Sequence, residues 1–269
     1  MSLWYAALLG LIQGLTEYIP VSSTAHLRVT SALAGQPDAG AAYTAVIQLG
    51  TLVAVLVYFA KDLVELPYAM VRAPSTLHGR LPWLIAAGTV PIVIAGLLLK
   101  KQIEGELRSL YVIATALIVV GVIMALIDRH AAGRDGRELA TITLGDAMLI
   151  GLAQTLALVP GVSRSGATIF MALLLGFTRS DAARFSFLLS IPAIAGAGLL
   201  EARHAFAALG SEAIPALAVG TGVATVVGYA SIAWFLRWLG SHQLVGFAVY
   251  RIVAGLALLA ALAARVIRP

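Results

Sequence analysis

The chain has 269 residues, of which 60% are hydrophobic and only 12% are charged, with a formal net charge of +5 and no cysteine. Because a typical soluble domain is about 25% charged, this composition predicts an integral membrane protein, and the lack of cysteine excludes disulfides, thiolate metal sites and cysteine nucleophiles. The positive charges are spread over short loops without a basic run, so we expect no nucleic-acid partner and attribute the surplus to membrane topology and anionic lipid.

Six apolar stretches approach the roughly 20 residues that a helix needs to span the bilayer core. They are residues 42–60, 82–99, 110–127, 185–200, 213–235 and 246–266. Charged residues bracket most of them, such as Lys61 after the first stretch and Asp128 after the third. The mixed segment 61–81 predicts an interfacial helix or loop, and the polar segment 129–143 predicts a loop.

Two other apolar regions, 3–34 and 145–177, are interrupted by the polar turns TEYIPVSSTAH and PGVSRSGAT. Irregular backbone at membrane depth is tolerated only where it is buried in protein or lines a wet cavity. We therefore expect each region to form a re-entrant helix–turn–helix hairpin and not a complete span.

The two interrupted regions resemble each other. Matching residues recur at an offset of 141, namely Gly10 with Gly151, Gln13 with Gln154 and Ser22 with Ser163. The chain thus divides into two halves, about 1–128 and 145–269, each consisting of a hairpin and three spans. Because three is odd, the second half is inverted and the polar tips meet near the midplane, as in inverted-repeat transporters.

The predicted fold is therefore an all-α polytopic membrane protein with six transmembrane helices and two re-entrant hairpins in an inverted-topology repeat. It forms a single membrane domain over residues 1–269. Lysines and arginines are more numerous in the loops on one face, which the positive-inside rule makes cytoplasmic. Those loops are 61–81, 128–145, 177–184 and 236–245. Both termini then lie on the outer side.

The second polar turn places an arginine in an apolar region. Arg164 is surrounded by small and hydroxyl residues, namely Gly161, Ser163, Ser165 and Gly166. An arginine at membrane depth costs about 3 kcal/mol even on lenient scales, so it needs an anionic partner. The glycines allow close backbone approach, and the following helix offers free N–H groups. The motif is consistent with a phosphate cradle, or with an arginine paired to a structural carboxylate such as Glu17.

The first polar turn contains a carboxylate, hydroxyls and a histidine. After Pro20, Ser22 or Ser23 can cap the second half-helix, which places His26 about one turn away. A histidine within reach of a serine hydroxyl can act as its general base, and Glu17 could orient the histidine, bind a cation or activate water. An ordinary helix cap and a satisfied buried histidine are the alternatives. Ionisable residues inside a membrane are costly and usually belong to a functional site, so we expect the two turns to share one polar site.

Other polar residues have weaker assignments. Gln13 and Gln154 are candidates to bond across the pseudo-symmetry axis, while Gln48 and Ser186 are interpreted as helix contacts or the rim of the site. Asp146 is expected to cap a helix. Four histidines are placed in loops without a role, namely His78, His130, His204 and His242.

QGLTEYIPVSSTAHL together with PGVSRSGAT resembles the undecaprenyl-diphosphate phosphatase family, membrane enzymes associated with bacitracin resistance. The blocks VIQLGTLVAVLVYF and RFSFLLSIPAIAGA support the resemblance, which covers essentially the whole chain. The resemblance implies hydrolysis of undecaprenyl diphosphate to the monophosphate and inorganic phosphate, which recycles the lipid carrier for peptidoglycan and other envelope polymers. It also implies six spans and two hairpins.

The resemblance further implies a divalent cation, Mg²⁺ or Ca²⁺. The acidic motif of the family, Glu/Gln-x-x-x-Glu, is here Gln13 to Glu17, which leaves Glu17 as the main carboxylate and metal ligand. The catalytic residues implied are Glu17, Ser22, Ser23, His26 and Arg164. The substrate-binding residues expected are Ser163, Ser165, Gly161, Gly166, Thr24 and Gln13.

The expected mechanism has Arg164, backbone amides and a cation on Glu17 holding the diphosphate. Ser23, or else Ser22, attacks the terminal phosphorus while His26 handles the proton; metal-activated water is the competing nucleophile. The resemblance places the chain in the bacterial inner membrane, with a site opening towards the periplasm and sideways for the prenyl tail. The partners expected are a prenyl diphosphate lipid and membrane lipids, a homodimer is possible, and flipping of the lipid monophosphate is the alternative function.

Overall fold

The computed structural model describes residues 1–99, 102, 105–133 and 135–267, and these residues are helical apart from loops and one isolated bridge. The helices of the first half, in chain order, are α1 (Leu3–Thr16), α2 (Ser23–Leu33), α3 (Gly40–Tyr58), α4 (Ala60–Arg72), α5 (Leu77–Leu98) and α6 (Leu110–Ala131). Those of the second half are α7 (Leu144–Gln154), α8 (Arg164–Leu174), α9 (Arg179–Leu209), α10 (Ile214–Leu239) and α11 (Val245–Ala263). The prediction of an all-α polytopic fold is confirmed.

Within the described residues, five helices are long and apolar enough to cross a membrane, namely α5, α6, α9, α10 and α11. The remaining predicted span, residues 42–60, corresponds to α3. At the end of α3 the chain bends by 68° into α4. Counting that bent pair as one span gives the expected six. The segment 61–81, expected as an interfacial helix or loop, forms α4 and the start of α5.

Two helices extend beyond the predicted apolar windows. The helix α9 begins at Arg179, well before the predicted 185, because the Thr178 hydroxyl accepts from the backbone N–H of Asp181. The helix α6 continues to Ala131, which places Asp128 inside it and fully buried.

The placement of histidines in loops is wrong for His78 and His130, which lie in α5 and α6. His204 lies in α9, and its side chain is outside the described part of the structure.

The two interrupted regions form helix–turn–helix hairpins, α1–α2 and α7–α8. Their helices have 14, 11, 11 and 11 residues, which is about 16–21 Å at 1.5 Å per residue and too short for a bilayer core of about 30 Å. A 3₁₀ turn, Thr155–Leu158, extends α7 towards its tip.

Repeat-related glycines make repeat-related contacts between helices. A Cβ atom at Gly10 in α1 would lie 2.3 Å from the carbonyl oxygen of Gly220 in α10, and one at Gly151 in α7 would lie 2.0 Å from that of Gly88 in α5. Only glycine permits backbones to approach this closely. The internal similarity predicted from the offset of 141 therefore corresponds to equivalent packing, in which the first helix of each hairpin contacts a helix of the other half.

The open ends of the hairpins lie at opposite ends of α6. Arg108, just before α6, donates to Asp38, which follows the first hairpin. Asp128, near the end of α6, accepts from Arg179, which follows the second hairpin. Since α6 has 22 residues, these ends are about 30 Å apart. The hairpins therefore enter from opposite ends of the helix bundle, and their turns meet inside it.

Candidate active site

The two hairpin turns have the same local backbone geometry. Ser22 and Ser163 are both helix N-caps with positive φ, at 75° and 76°. Each hydroxyl accepts from the backbone N–H three residues later, that of Ala25 at 3.4 Å and that of Gly166 at 3.1 Å. A residue other than glycine at positive φ is strained by about 1–3 kcal/mol, and such strain clusters at functional sites. Matching strain in both turns therefore marks them as one candidate site.

The Glu17 carboxylate is the centre of the polar contacts between the turns. Its Oε1 accepts from Gln48 Nε2 at 2.7 Å and from Arg164 Nη2, and its Oε2 accepts from Gln13 Nε2 and Ser23 Oγ, both at 2.7 Å. The Glu17 side chain is 3% exposed. A buried carboxylate with four donors, one of them cationic, is satisfied in both charge and hydrogen bonding, which explains how it is tolerated inside the bundle.

Both turns line one end of a cavity of about 480 Å³. The predicted site residues that line it are Glu17, Ser22, Ser23, Thr24, Gly161, Ser163 and Arg164. Its wall is apolar and is formed mainly by Ile92, Val93, Leu97, Leu158 and Leu200, while Arg108 and Glu201 also line it. The cavity thus combines a polar end, with a guanidinium, a carboxylate and hydroxyls, and an apolar wall. This shape suits a ligand with a charged head and an apolar tail.

The family described as "Bacitracin resistance protein BacA" matches residues 6–257 of the chain. The chain belongs to this family. It is 51% identical to the undecaprenyl-diphosphatase of Myxococcus xanthus over 265 residues, which are 96% of this chain and 89% of the relative. It is 46% identical over 276 residues to that of Prosthecochloris aestuarii, with 98% of both chains covered. It is 44% identical over 285 residues to undecaprenyl-diphosphatase 2 of Streptomyces avermitilis, covering all of this chain and 98% of the relative.

In this BacA-family chain, His26 does not line the cavity with the serines. Its Nδ1 lies 2.8 Å from the backbone carbonyl oxygen of Ser22, and its Nε2 lies 2.6 Å from the hydroxyl of Tyr250. A carbonyl oxygen only accepts, so Nδ1 carries the proton and Nε2 accepts from Tyr250. The His26 ring instead lines a groove on the other side of the first hairpin. The expected proton transfer between His26 and a serine hydroxyl therefore lacks the contact that it needs.

Three residues expected to bind substrate lie behind the cavity surface. Ser165 Oγ is 3.3 Å from the carbonyl oxygen of Ile19, so it connects the two turns. Gly166 donates its backbone N–H to the Ser163 hydroxyl. Gln13 donates to Glu17. All three contact residues of the two turns, and their direct contact with substrate stays a prediction.

The expected bond between Gln13 and Gln154 is absent. Both side-chain amide atoms of Gln154 are buried without a hydrogen-bond partner among the described residues. Gln13 donates to Glu17 instead, whereas the second half has the apolar Leu158 at the position that matches Glu17. The repeat is therefore chemically asymmetric, with its carboxylate on one tip and its guanidinium on the other.

Two of the weaker assignments are resolved by contacts. Gln48 donates to Glu17 and lines the cavity, so it belongs to the site. Ser186 lies 2.5 Å from the Thr168 hydroxyl and forms a contact between α9 and α8. Asp146 caps α7 as predicted, in a reciprocal capping box with Thr143.

The sequence analysis missed a functional candidate in α11. Arg251 is completely buried, and it donates through Nη1 to the carbonyl oxygen of Pro20 at 3.0 Å and through Nη2 to that of Gly161 at 2.7 Å. One side chain thus contacts both hairpin turns. The signal was present, since an arginine inside the apolar stretch 246–266 is costly in a membrane. Averaging hydrophobicity over the stretch concealed it.

The polar end fits a divalent cation poorly. Among the described residues, no group of three or more His, Asp or Glu side chains is placed to hold a metal. The four groups on the Glu17 oxygens are N–H and O–H donors, whereas Mg²⁺ and Ca²⁺ need oxygen lone pairs. A cation could reach Glu17 only by displacing one of these donors.

Proposed function

We propose that the chain is a membrane undecaprenyl-diphosphatase, which hydrolyses undecaprenyl diphosphate to undecaprenyl phosphate and inorganic phosphate. This activity would recycle the lipid carrier for peptidoglycan and cell-envelope synthesis and confer bacitracin resistance. Membership of the BacA family and the names of its relatives support hydrolysis over flipping of the lipid monophosphate. The structural observation that carries the proposal is the contact between Glu17 and Arg164 at the polar end of a cavity with an apolar wall.

The polar end would hold the diphosphate through charge. Arg164 uses Nη2 for Glu17, and a guanidinium has five N–H donors in a fixed fork that matches phosphate oxygens. The Ser163 and Thr24 hydroxyls also line the cavity, and the N-terminus of α8 adds the positive end of a helix dipole. The apolar wall would hold the first isoprene units, while the rest of the prenyl chain stays in lipid.

Ser23 is the proposed nucleophile and Glu17 its base. Ser23 Oγ donates to Glu17 Oε2 at 2.7 Å, which is within the range for general-base contacts. Ser22 is less suitable, because its hydroxyl already caps α2. When the diphosphate binds the remaining N–H groups of Arg164, its negative charge offsets the guanidinium charge that stabilises the Glu17 carboxylate. Losing an opposite charge raises the proton affinity of a carboxylate, so substrate binding itself would prepare the base.

The reaction would then proceed in two balanced steps. Ser23 Oγ attacks the terminal phosphorus, its proton passes to Glu17, and the bond between that phosphorus and the bridging oxygen breaks. Undecaprenyl phosphate leaves with the proton from Glu17. Water then attacks the phosphoserine with Glu17 again as base, inorganic phosphate leaves, and Ser23 regains a proton. Electrostatic stabilisation supplies most of the rate in phosphoryl transfer, which assigns the main role to Arg164. Direct attack by water, with the serines only binding phosphate, is the competing route.

A divalent cation remains a prediction, and no step above depends on it. If a cation takes part, we expect it to arrive with the diphosphate, because Mg²⁺ commonly binds through substrate phosphates and few carboxylates. Hydrolysis measured after exhaustive chelation, with Mg²⁺ and Ca²⁺ added back separately, tests this. Undiminished hydrolysis in the chelated protein would rule out a required cation.

The proposed location is the bacterial inner membrane, with the hairpins re-entering from opposite faces and the site opening towards the periplasm. Arg108 and Glu201 of the cavity belong to the end of the bundle where α6 begins. The opposite end carries the loops richer in lysine and arginine, which the positive-inside rule assigns to the cytoplasm. Labelling of single cysteines, introduced at Gly35 and at Gly133 into this cysteine-free chain, tests the orientation. A homodimer also stays a prediction, which cross-linking in the native membrane can test.

The activity is tested with the purified full chain in detergent and a long-chain prenyl diphosphate. We expect equal amounts of prenyl monophosphate and inorganic phosphate, and increased bacitracin tolerance in cells that express the chain. Failure to release phosphate from any long-chain prenyl diphosphate, with folded protein and with either cation present, would refute the proposal. Movement of labelled prenyl monophosphate in sealed vesicles, measured with the Arg164→Met variant, tests the alternative function separately.

A further inference from the structure

Arg251 is an unusual arginine because its hydrogen-bond partners are backbone carbonyls of two separate turns. It is 0% exposed, it bonds Pro20 in the first turn and Gly161 in the second, and its Nε has no partner among the described atoms. No carboxylate of the described residues forms an ion pair with it. Burying a cation without a counter-ion is costly, so a neutral donor would be expected if simple packing were all that was needed.

The helix that carries Arg251 is part of a tightly packed support. A Cβ at Gly121 in α6 would lie 3.0 Å from the carbonyl oxygen of Ala248 in α11, and one at Gly255 in α11 would lie 2.8 Å from that of Ala114 in α6. The second turn rests on the same support, since a Cβ at Gly161 would lie 2.8 Å from the carbonyl oxygen of Ile113. Close-packed helices of this kind hold their side chains in fixed positions.

We propose that Arg251 is a positioning residue that holds the two hairpin turns in register, so that Ser23 and Glu17 of one turn face Arg164 of the other. The inference rests on the proposed function. The nucleophile and the phosphate-binding cation belong to different hairpins, and misplacement by about 1 Å can cost roughly a hundredfold in rate. Arg251 bonds to carbonyls in the same two turns, at Pro20, three residues from Glu17 and Ser23, and at Gly161, three residues before Arg164.

Arginine suits this role through its shape. Its planar fork carries two terminal NH₂ groups at a fixed separation, whereas lysine has one flexible ammonium group. Lysine at position 251 would carry all its donors on one flexible nitrogen, without a rigid spacing between them. It would retain the positive charge near the site but would not fix the distance between the turns. The Arg251→Lys variant therefore distinguishes positioning from a general electrostatic effect.

Arg80 offers a matched control. Its Nη1 and Nη2 also donate to two backbone carbonyls, those of Ile142 at 3.3 Å and Ala140 at 3.0 Å, and its Nε likewise has no partner. It lies in α5 at the end of the bundle away from the cavity mouth. Arg80→Met therefore removes the same kind of contact without removing a hydrogen bond to either hairpin turn.

The experiment compares wild type, Arg251→Met, Arg251→Lys and Arg80→Met, each as purified full chain. It measures kcat and KM for a long-chain prenyl diphosphate per folded molecule, and inhibition by orthovanadate, an analogue of the transferring phosphoryl group. We expect Arg251→Met to lower kcat about a hundredfold, to change KM less than about threefold, and to weaken vanadate inhibition by a factor similar to the loss in kcat. We expect about a tenfold loss in kcat for Arg251→Lys and none for Arg80→Met.

Two results would overturn the proposal. One is a kcat per folded molecule in Arg251→Met or Arg251→Lys equal to that of Arg80→Met. The other is a loss of kcat in Arg251→Met with vanadate inhibition unchanged, which would show a structural role only. If Arg251→Met does not fold, Arg251→Lys carries the same comparison. If wild type does not hydrolyse the lipid, the proposed function fails. The positioning role of Arg251 is then tested by the rise in melting temperature that inorganic diphosphate causes. Wild type and Arg80→Met should show this rise, and Arg251→Lys should not.

Discussion

The Glu17 carboxylate of the first hairpin accepts a hydrogen bond from the Arg164 guanidinium of the second, across 147 residues of sequence. This contact makes one site out of two turns that enter the bundle from opposite ends. It also satisfies two charges that neither hairpin could bury alone. An ion pair that only stabilised the fold would make the same contact, so stability and activity have to be separated by experiment.

A double-mutant cycle on Glu17 and Arg164 separates them. Arg164→Met leaves a buried carboxylate without its counter-ion, which typically costs about 3–5 kcal/mol, while Glu17→Gln/Arg164→Met leaves no charge. We expect the double variant to recover most of the melting temperature lost in Arg164→Met and to remain inactive. Thermal unfolding in detergent and phosphate release measure the two effects. Recovery of activity along with stability would show that the pair is structural.

The two adjacent serines should differ in their effects. Ser23→Ala removes the proposed nucleophile, and we expect a loss of at least about a hundredfold in kcat with little loss of stability. Ser22→Ala removes a helix cap, for which about 1 kcal/mol of stability is typical, and we expect a smaller loss of rate. Rapid acid quench of wild type should trap a phosphoserine at position 23. Label at Ser22, or no label during turnover, would contradict the assignment.

His26 should influence the rate only through the shape of the first turn. His26→Asn can keep a donor for the Ser22 carbonyl, and Tyr250→Phe removes only the hydroxyl that His26 accepts from. We expect each variant to stay within about tenfold of wild type, since one hydrogen bond contributes about 1 kcal/mol. The shape of the pH–rate profile should not change. Loss of the acidic or basic limb in His26→Asn would show that His26 titrates during catalysis.

The loss of stability as the pH falls should depend in part on Asp146, in the first turn of α7. Burial raises the pKa of this carboxyl, but hydrogen bonds from Arg137 and from the backbone and hydroxyl of Thr143 outweigh it, so its pKa lies below the usual value. A group with a lowered pKa in the folded state stabilises the fold above its unfolded pKa and loses that contribution as pH falls through the folded value.

We therefore expect the melting temperature of wild type to exceed that of Asp146→Asn by a constant margin from about pH 8 to 5, and the margin to shrink below about pH 4. Thermal unfolding at a series of pH values measures the margin. A margin that grows as the pH falls would contradict the assignment. When Arg137 is also replaced by Met, Asp146→Asn should lower the melting temperature much less than it does in wild type, because the arginine is the charged partner of Asp146.

Much of the fold follows from local sequence physics. The recurrence of Gly10 and Gln13 at Gly151 and Gln154 predicted a repeat, and the paired glycines make equivalent backbone contacts in both halves. The cost of burying a guanidinium predicts an anionic partner for Arg164, with Glu17 as one candidate, and the contact with Glu17 is present. Both predictions rest on properties that the sequence alone provides, namely the spacing of residues and the cost of burying a charge.

The direction of the His26 ring could not be predicted in this way. Spacing places His26 one turn from the serines, but its partner, Tyr250, comes from a helix 224 residues later. The same holds for Arg251, whose two acceptors lie 231 and 90 residues away in sequence. Contacts of this kind depend on how the helices pack, and no pattern within either hairpin encodes them.

The central claim is that groups from both hairpins form one phosphate-cleaving site. Single-turnover release of phosphate from a long-chain prenyl diphosphate tests it most directly, with wild type, Ser23→Ala from the first hairpin and Arg164→Met from the second. We predict rapid release by wild type and a rate at least about a hundredfold lower in each variant, with each protein folded. Release at the rate of wild type by either folded variant would contradict the claim.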